Sequence, residues 1–118
     1  GAPRSRGKVF DTLAPLGPAL ATPEGSPDPP DRRNTALLTG ERVQDWTTSD
    51  MIFDIPAIIE YLSGSTTLVP GTVILTGTPQ GVGMAAKPDP VWLKDGDSVS
   101  IEIEKIGTLT NPVINESS

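Results

Sequence analysis

One stretch, residues 70–83, limits what this chain can become more than any other. Pro70-Gly71 is a turn signal, because proline fixes φ and glycine supplies freedom at the next position. Thr72, Val73, Ile74, Leu75 and Thr76 follow, a β-branched and apolar run of the kind that forms a strand buried on both faces. Gly77, Gly81 and Gly83 then gather with Pro79 and the Thr78 hydroxyl at the strand's end. Glycine has no Cβ to hold a ligand away, so such a loop can press its backbone against a small molecule. A tight connection between strands, with no ligand, has the same composition. This stretch alone does not separate the two readings.

Composition narrows the function classes. The 118 residues suffice for one domain with a modest core. The formal net charge of −6 argues against a nucleic-acid binder, which would carry a basic patch. With no cysteine, neither a disulfide framework nor a zinc-thiolate site can form. With no histidine, the commonest general base is missing, and so is any Ser-His-Asp triad within the chain. No apolar run approaches the ~20 residues of a membrane span, and the first residues lack the apolar core of a signal peptide. The expectation is a soluble cytoplasmic or mitochondrial protein, not a secreted one, with no membrane partner. Abundant proline (13) and glycine (12) favour short strands and many turns.

Along the chain, Lys8, Asp11 and Thr12 make a small polar cluster, or simply a surface lysine near a turn. Residues 13–20 contain two prolines and read as extended with turns. Residues 22–34 read as an exposed loop. Residues 35–38 and 42–45 flank Thr39-Gly40 and predict a hairpin, followed by a polar connection at 46–49. The best helix covers residues 54–63. Asp54 caps it, Pro56 falls in its first turn, and Gly64 stops it. Its Ile55, Ile58, Ile59 and Leu62 form a face expected to pack on a sheet. Met51, Ile52 and Phe53 are expected core anchors. Residues 85–90 read as a loop and 94–97 as a turn. Residues 98–104 alternate strictly, with Val99, Ile101 and Ile103 on one face and Glu102 and Glu104 on the other. That is a half-buried antiparallel strand with its acids in solvent. An antiparallel return over 108–113 and a loose tail at 115–118 complete the chain.

Several motifs together resemble one family. Gly7-Lys8-Val9-Phe10-Asp11-Thr12, with Ala14-Pro15-Leu16-Gly17-Pro18, is similar to the Gly-Lys-Ser-Phe-Asp-Thr…Pro-Leu-Gly-Pro segment of the fumarylacetoacetate hydrolase family. Thr48-Ser49-Asp50-Met51-Ile52-Phe53 and Ile74-Leu75-Thr76-Gly77-Thr78-Pro79-Gln80-Gly81-Val82-Gly83 resemble two further signatures. Trp92-Leu93-Lys94-Asp95-Gly96-Asp97, then Ile103-Glu104 and Ile106-Gly107, resemble others. The resemblance implies a mainly β (α+β) fold, a fumarylacetoacetase-like roll or sandwich with one or two short helices, usually a homodimer. It implies a magnesium- or manganese-dependent enzyme that cleaves, decarboxylates or isomerises small β-diketo or β-keto acids, such as acylpyruvates, oxaloacetate or ring-opened catechol derivatives.

The resemblance also implies site residues. Lys8 matches a lysine beside metal and substrate. Thr78 matches the threonine that hydrogen-bonds a substrate oxygen, within a substrate-binding Thr76-Gly77-Thr78-Pro79 loop. Thr12 matches a position near the metal in some members. The family's metal-binding carboxylates and its catalytic His-Glu pair precede the Gly-Lys segment and have no counterpart here. Val9, Trp46-Thr47 and residues 29–33 also depart from the pattern. Residues 1–118 are thus expected to be the C-terminal portion of one catalytic domain, a fragment or a truncated product. The competing expectation is a catalytically inactive module that dimerises or binds other family subunits.

Overall fold

The computed structural model describes residues 10–22 and 31–116. Its centre is a four-stranded antiparallel sheet, β1 (Arg33–Leu38), β2 (Glu41–Thr47), β3 (Ser98–Ile103) and β4 (Gly107–Pro112), in the order β2-β1-β3-β4. The mainly β expectation holds. Two hairpins make up this sheet. In the first, Thr39 (φ 49°) and Gly40 (φ 85°) both take positive φ, the conformation that lets a two-residue turn follow the twist of its strands. In the second, Lys105 (φ 63°) carries the turn, and Ile106 N donates to Ile103 O at 3.0 Å. The hairpins join through β1 and β3, with Leu38 opposite Val99 and Asn34 opposite Ile103. Thr39 N donates to Ser98 O at 2.7 Å and Glu104 N to Arg33 O at 3.0 Å, closing the seam at both ends.

The first hairpin is irregular in one place. Ala36 faces Gln44, but Leu37 faces Arg42, so Val43 is an extra residue in β2. Such a bulge sharpens the local twist and re-aims the side chains beside it. The deepest burial lies in β1, at Thr35 (7 % exposed) and Ala36 (6 %), flanked by β2 and β3. The alternating apolar residues of β3 are half-buried and Glu102 is exposed, as its pattern predicts. The expected exposed loop at 22–34 ends earlier than predicted. Arg32 is buried, its guanidinium donating to Glu104 O at 3.1 Å, and residues from Arg33 onward are already strand. Residues 23–30 of that loop lie outside the described residues. The connection predicted at 46–49 is likewise shorter, because Trp46 and Thr47 belong to β2 and a single turn of 3₁₀ helix covers Thr48–Asp50.

The helix α1 (Ile55–Ser63) forms where its caps predict. Asp54 Oδ1 accepts from Ala57 N at 2.8 Å, Pro56 sits in the first turn, and Gly64 closes the helix with its N–H on Glu60 O. Its packing differs from expectation. Ile55 and Ile59 remain 40 % and 45 % exposed, and Ile58 and Leu62 are only half-buried. Ile52 (92 %) and Phe53 (67 %), expected as core anchors, are exposed. The run at 72–76 is not a strand. It belongs to no ladder, and Val73 and Leu75 are exposed. The reason is common to all three. A buried strand and a helix face need a second surface, and none of the described elements lies over them. β-branched residues favour extended backbone locally, but a ladder needs a neighbour.

Candidate active site

The glycine loop stands along one wall of a cleft of about 570 Å³. Thr76, Gly77, Thr78, Pro79 and Gln80 supply that wall. Opposite are the end of β2 and the turn after it, with Trp46, Thr47, Thr48, Asp50 and Met51, while Ile52, Phe53 and Ile58 add apolar surface. Thus the two motif segments at 48–53 and 74–83, distant in sequence, face the same space. The local chemistry explains the turn. Thr47 caps it, its Oγ1 accepting from Ser49 N at 3.4 Å while Asp50 Oδ2 accepts from Thr47 N at 3.5 Å. Positive φ at Gly77 (95°) and Gly81 (100°) bends the loop, a backbone few side chains tolerate.

The loop is held from behind. Gln44 Nε2 lies 3.0 Å from Thr78 Oγ1, 3.1 Å from Pro79 O and 3.2 Å from Gln80 O. A Cβ built on Gly81 would stand 2.4 Å from Val43 O, so the loop backbone rests directly on the β2 bulge. At its far end Gly83 O accepts from Val91 N at 2.9 Å. Gln44 carries no signal in the sequence. It sits on an unremarkable polar strand, next to the bulge at Val43.

A second, more open cleft of about 490 Å³ shares Trp46, Thr47 and Asp50 with the first and adds Asp31, Arg33, Asp45 and Glu104. Here Arg33 grips Asp45 with both prongs, Nε to Oδ1 at 2.6 Å and a terminal nitrogen to Oδ2 at 2.5 Å, and Arg42 adds a contact at 3.0 Å. These hydrogen bonds hold the Asp45 carboxyl below its ordinary range and raise Arg33. The other acids of this cleft are taken up locally. Asp31 accepts from Thr47 Oγ1 at 2.6 Å, and Glu104 Oε2 accepts from Arg33 N at 3.3 Å. Among the described residues no three acid, histidine or cysteine side chains converge in a way that could hold a metal ion. The donor set of the described residues does not fit the magnesium or manganese that the resemblance implies.

The expected site residues are therefore placed unevenly. Thr76, Gly77, Thr78 and Pro79 line one cleft together. Thr12 is exposed, with φ 68°, and lines neither cleft. Lys8 lies outside the described residues. Among the described residues, no helix is long and apolar enough to cross a membrane.

The chain is similar to several known proteins. The rat mitochondrial oxaloacetate tautomerase Fahd2a is 47 % identical over 108 residues, covering 92 % of this chain and 34 % of the rat protein. The fumarylacetoacetate hydrolase of psychrophilic Exiguobacterium antarcticum superposes with a TM-score of 0.89 at 41 % identity, over 94 % of this chain and 39 % of that one. A maleylpyruvate hydrolase from Sphingobium sp. SYK-6, solved in complex with manganese(II) ion and pyruvate, superposes at 0.78 with 35 % identity, over 89 % of this chain and 37 % of its own. The chain spans about a third of the length of the curated relatives it matches. A family profile described as fumarylacetoacetate (FAA) hydrolase C-terminal matches residues 1–114, and the chain belongs to that family of enzymes.

Proposed function

We propose that this chain supplies one wall of the active site of an enzyme acting on a small β-keto or β-diketo acid, with oxaloacetate and acylpyruvates as the substrate class. One observation carries the reading. The Thr76-Gly77-Thr78-Pro79 loop faces, across a cleft of ligand size, a wall that is part polar and part apolar. Enolisation of a keto acid, or cleavage beside its carbonyl, puts negative charge on a carbonyl oxygen. A hydroxyl already aimed at that oxygen stabilises the charge without reorganising. Thr78, which lines the cleft, would take this role, and Lys8 would add a cation. The apolar side chains of Ile52 and Phe53 would exclude water once covered. The relatives' names support the substrate class, since one is an oxaloacetate tautomerase and another holds pyruvate and manganese. The metal carboxylates, the base and the cover of the apolar wall would come from outside the described residues, in an assembly that includes a second copy. A mitochondrial or cytoplasmic setting suits such chemistry.

A second reading is favoured by a specific observation. The exposure of Val73, Leu75, Ile52 and Phe53 also suits an inactive module that binds other family subunits. Two proteins separate the readings: the chain alone, and the rat relative with its matching segment replaced by this chain. Each is assayed for oxaloacetate tautomerisation and acylpyruvate hydrolysis with magnesium or manganese. The chain alone is expected to show nothing above the free-metal background, and the chimera to turn over. Thr78→Val in the chimera should lower kcat/KM by about tenfold to a hundredfold, the scale of one oxyanion contact. A folded but silent chimera supports the inactive module. An active chimera indifferent to Thr78→Val removes Thr78 from the site.

A further inference from the structure

Gln44 lines neither cleft, yet it makes three contacts to the loop that does. Two of its neighbours, Pro79 O and Gln80 O, are carbonyl oxygens, which only accept. The side-chain nitrogen must therefore face the loop, and the amide's orientation is fixed by its surroundings. Facing an N–H donor, the Thr78 hydroxyl can only accept in this contact, at 3.0 Å. Its own proton is left for a different acceptor. Nε2 has two hydrogens for three acceptors, so one hydrogen is shared. The backbone reports the same seat independently. Gly81 lies so close to Val43 O that a Cβ would stand 2.4 Å from it, and 3.0 Å from Gln44 Cγ. Both contacts fall at the bulge, where Val43 is the extra residue and Gln44 the next.

We propose that Gln44 is the positioning residue of this site. Through Nε2 it seats the glycine loop on the bulge of β2 and leaves the Thr78 proton to be donated to a ligand oxygen in the cleft. The inference rests on the reading of Thr78 given above. Its chemical logic is a restriction of choice. An unpaired threonine hydroxyl rotates and donates to water or to its own backbone as readily as to a ligand. With its lone pair engaged by an N–H donor, the hydroxyl is prepared as a donor before the ligand arrives.

The test uses the full chain labelled at its two glutamines, Gln44 and exposed Gln80, the second serving as internal reference. The Gln44 side-chain hydrogens should exchange with solvent about tenfold more slowly than those of Gln80, the scale of one net hydrogen bond. Thr78→Val, which removes the acceptor but keeps the shape, should move the Gln44 signal, and Thr78→Ser should restore it. Pyruvate is then titrated, with magnesium, into the chimera described above while the residue-78 side-chain signal is followed. Its apparent affinity should fall about tenfold in Gln44→Met and in Thr78→Val, and no further in the double variant, because the two act as one unit. Exchange as fast as that of Gln80, or a Gln44 signal indifferent to Thr78→Val, overturns the inference. So does a double variant that loses as much as the two single losses combined, which is the mark of a merely structural anchor. If Gln44 behaves as expected but pyruvate leaves wild-type Thr78 unmoved, or binds Thr78→Val equally well, the reading of Thr78 fails, and Gln44's role toward a ligand falls with it.

Discussion

The sheet and the segment between β2 and β3 make opposite use of equally clear sequence signals. The hairpin at Thr39-Gly40 and the alternating β3 find their partners within the chain and form a closed hydrogen-bonded unit. The helix face and the run at 72–76 are at least as apolar, yet Leu75 stays 78 % exposed and Ile59 45 %. Periodicity reports which side of an element wants burial. Whether burial happens depends on where the covering surface is encoded. The curated relatives that this chain matches are about three times as long as it is.

The contrast can be broken most sharply by placing the same charge in both regions. Ala36→Asp puts a carboxylate at the centre of the sheet, where it has no partner. It should cost several kcal/mol, roughly 3–5, enough to unfold a domain of this size. Leu75→Asp at the exposed run should change stability by about 0.5 kcal/mol or less. Denaturant melts of the two variants check this, and a large loss in Leu75→Asp would show that the run is covered in solution. A smaller effect is expected at the helix. Ile59→Ala in a fully buried site would cost about 2–5 kcal/mol, but at this exposure about 1 kcal/mol or less. A melting curve displaced by the larger amount would mean that α1 has found a partner, such as a second copy, and should then depend on protein concentration.

The smallest effect belongs to the Arg33–Asp45 pair, which ties β1 to β2 at the surface. Its carboxyl is held below the ordinary range in the folded state, so the pair's contribution is present above the unfolded carboxyl's pKa. It is lost as pH falls through the lower folded value. Asp45→Asn should lower the melting temperature slightly at neutral pH, and the gap to wild type should close both in acid and in high salt. A gap that persists in both would mean that packing, not charge, is what Asp45 supplies.

Much of the fold follows from short-range chemistry. The Asp54 cap, the Thr39-Gly40 turn and the alternation of Val99, Ile101 and Ile103 each act over a few residues, and each appears where the sequence predicts. What escaped is non-local. The Val43 bulge shifts a register by one residue with no compositional mark, and Gln44, the next residue, bonds to Thr78. The run at 72–76 carries a strand's local preference, but a ladder also needs a neighbouring strand, which local composition does not encode. Of the site, the Thr76-Gly77-Thr78-Pro79 wall followed from the motif. The opposing wall of Trp46, Thr47 and Asp50 required the fold.

The seam between β1 and β3 has a kinetic consequence. Leu38 and Val99 pair across a loop of about sixty residues, so the second hairpin can dock only after a large closure entropy has been met. The first hairpin closes its turn locally and is the natural template, and the join to β3 should set the folding rate. Closure entropy grows only with the logarithm of loop length, about 0.6 kcal/mol for a doubling. The segment that carries the cleft is the very loop being closed. It can therefore lengthen, shorten or change its chemistry at little cost to the sheet beneath it, provided that its two ends still meet.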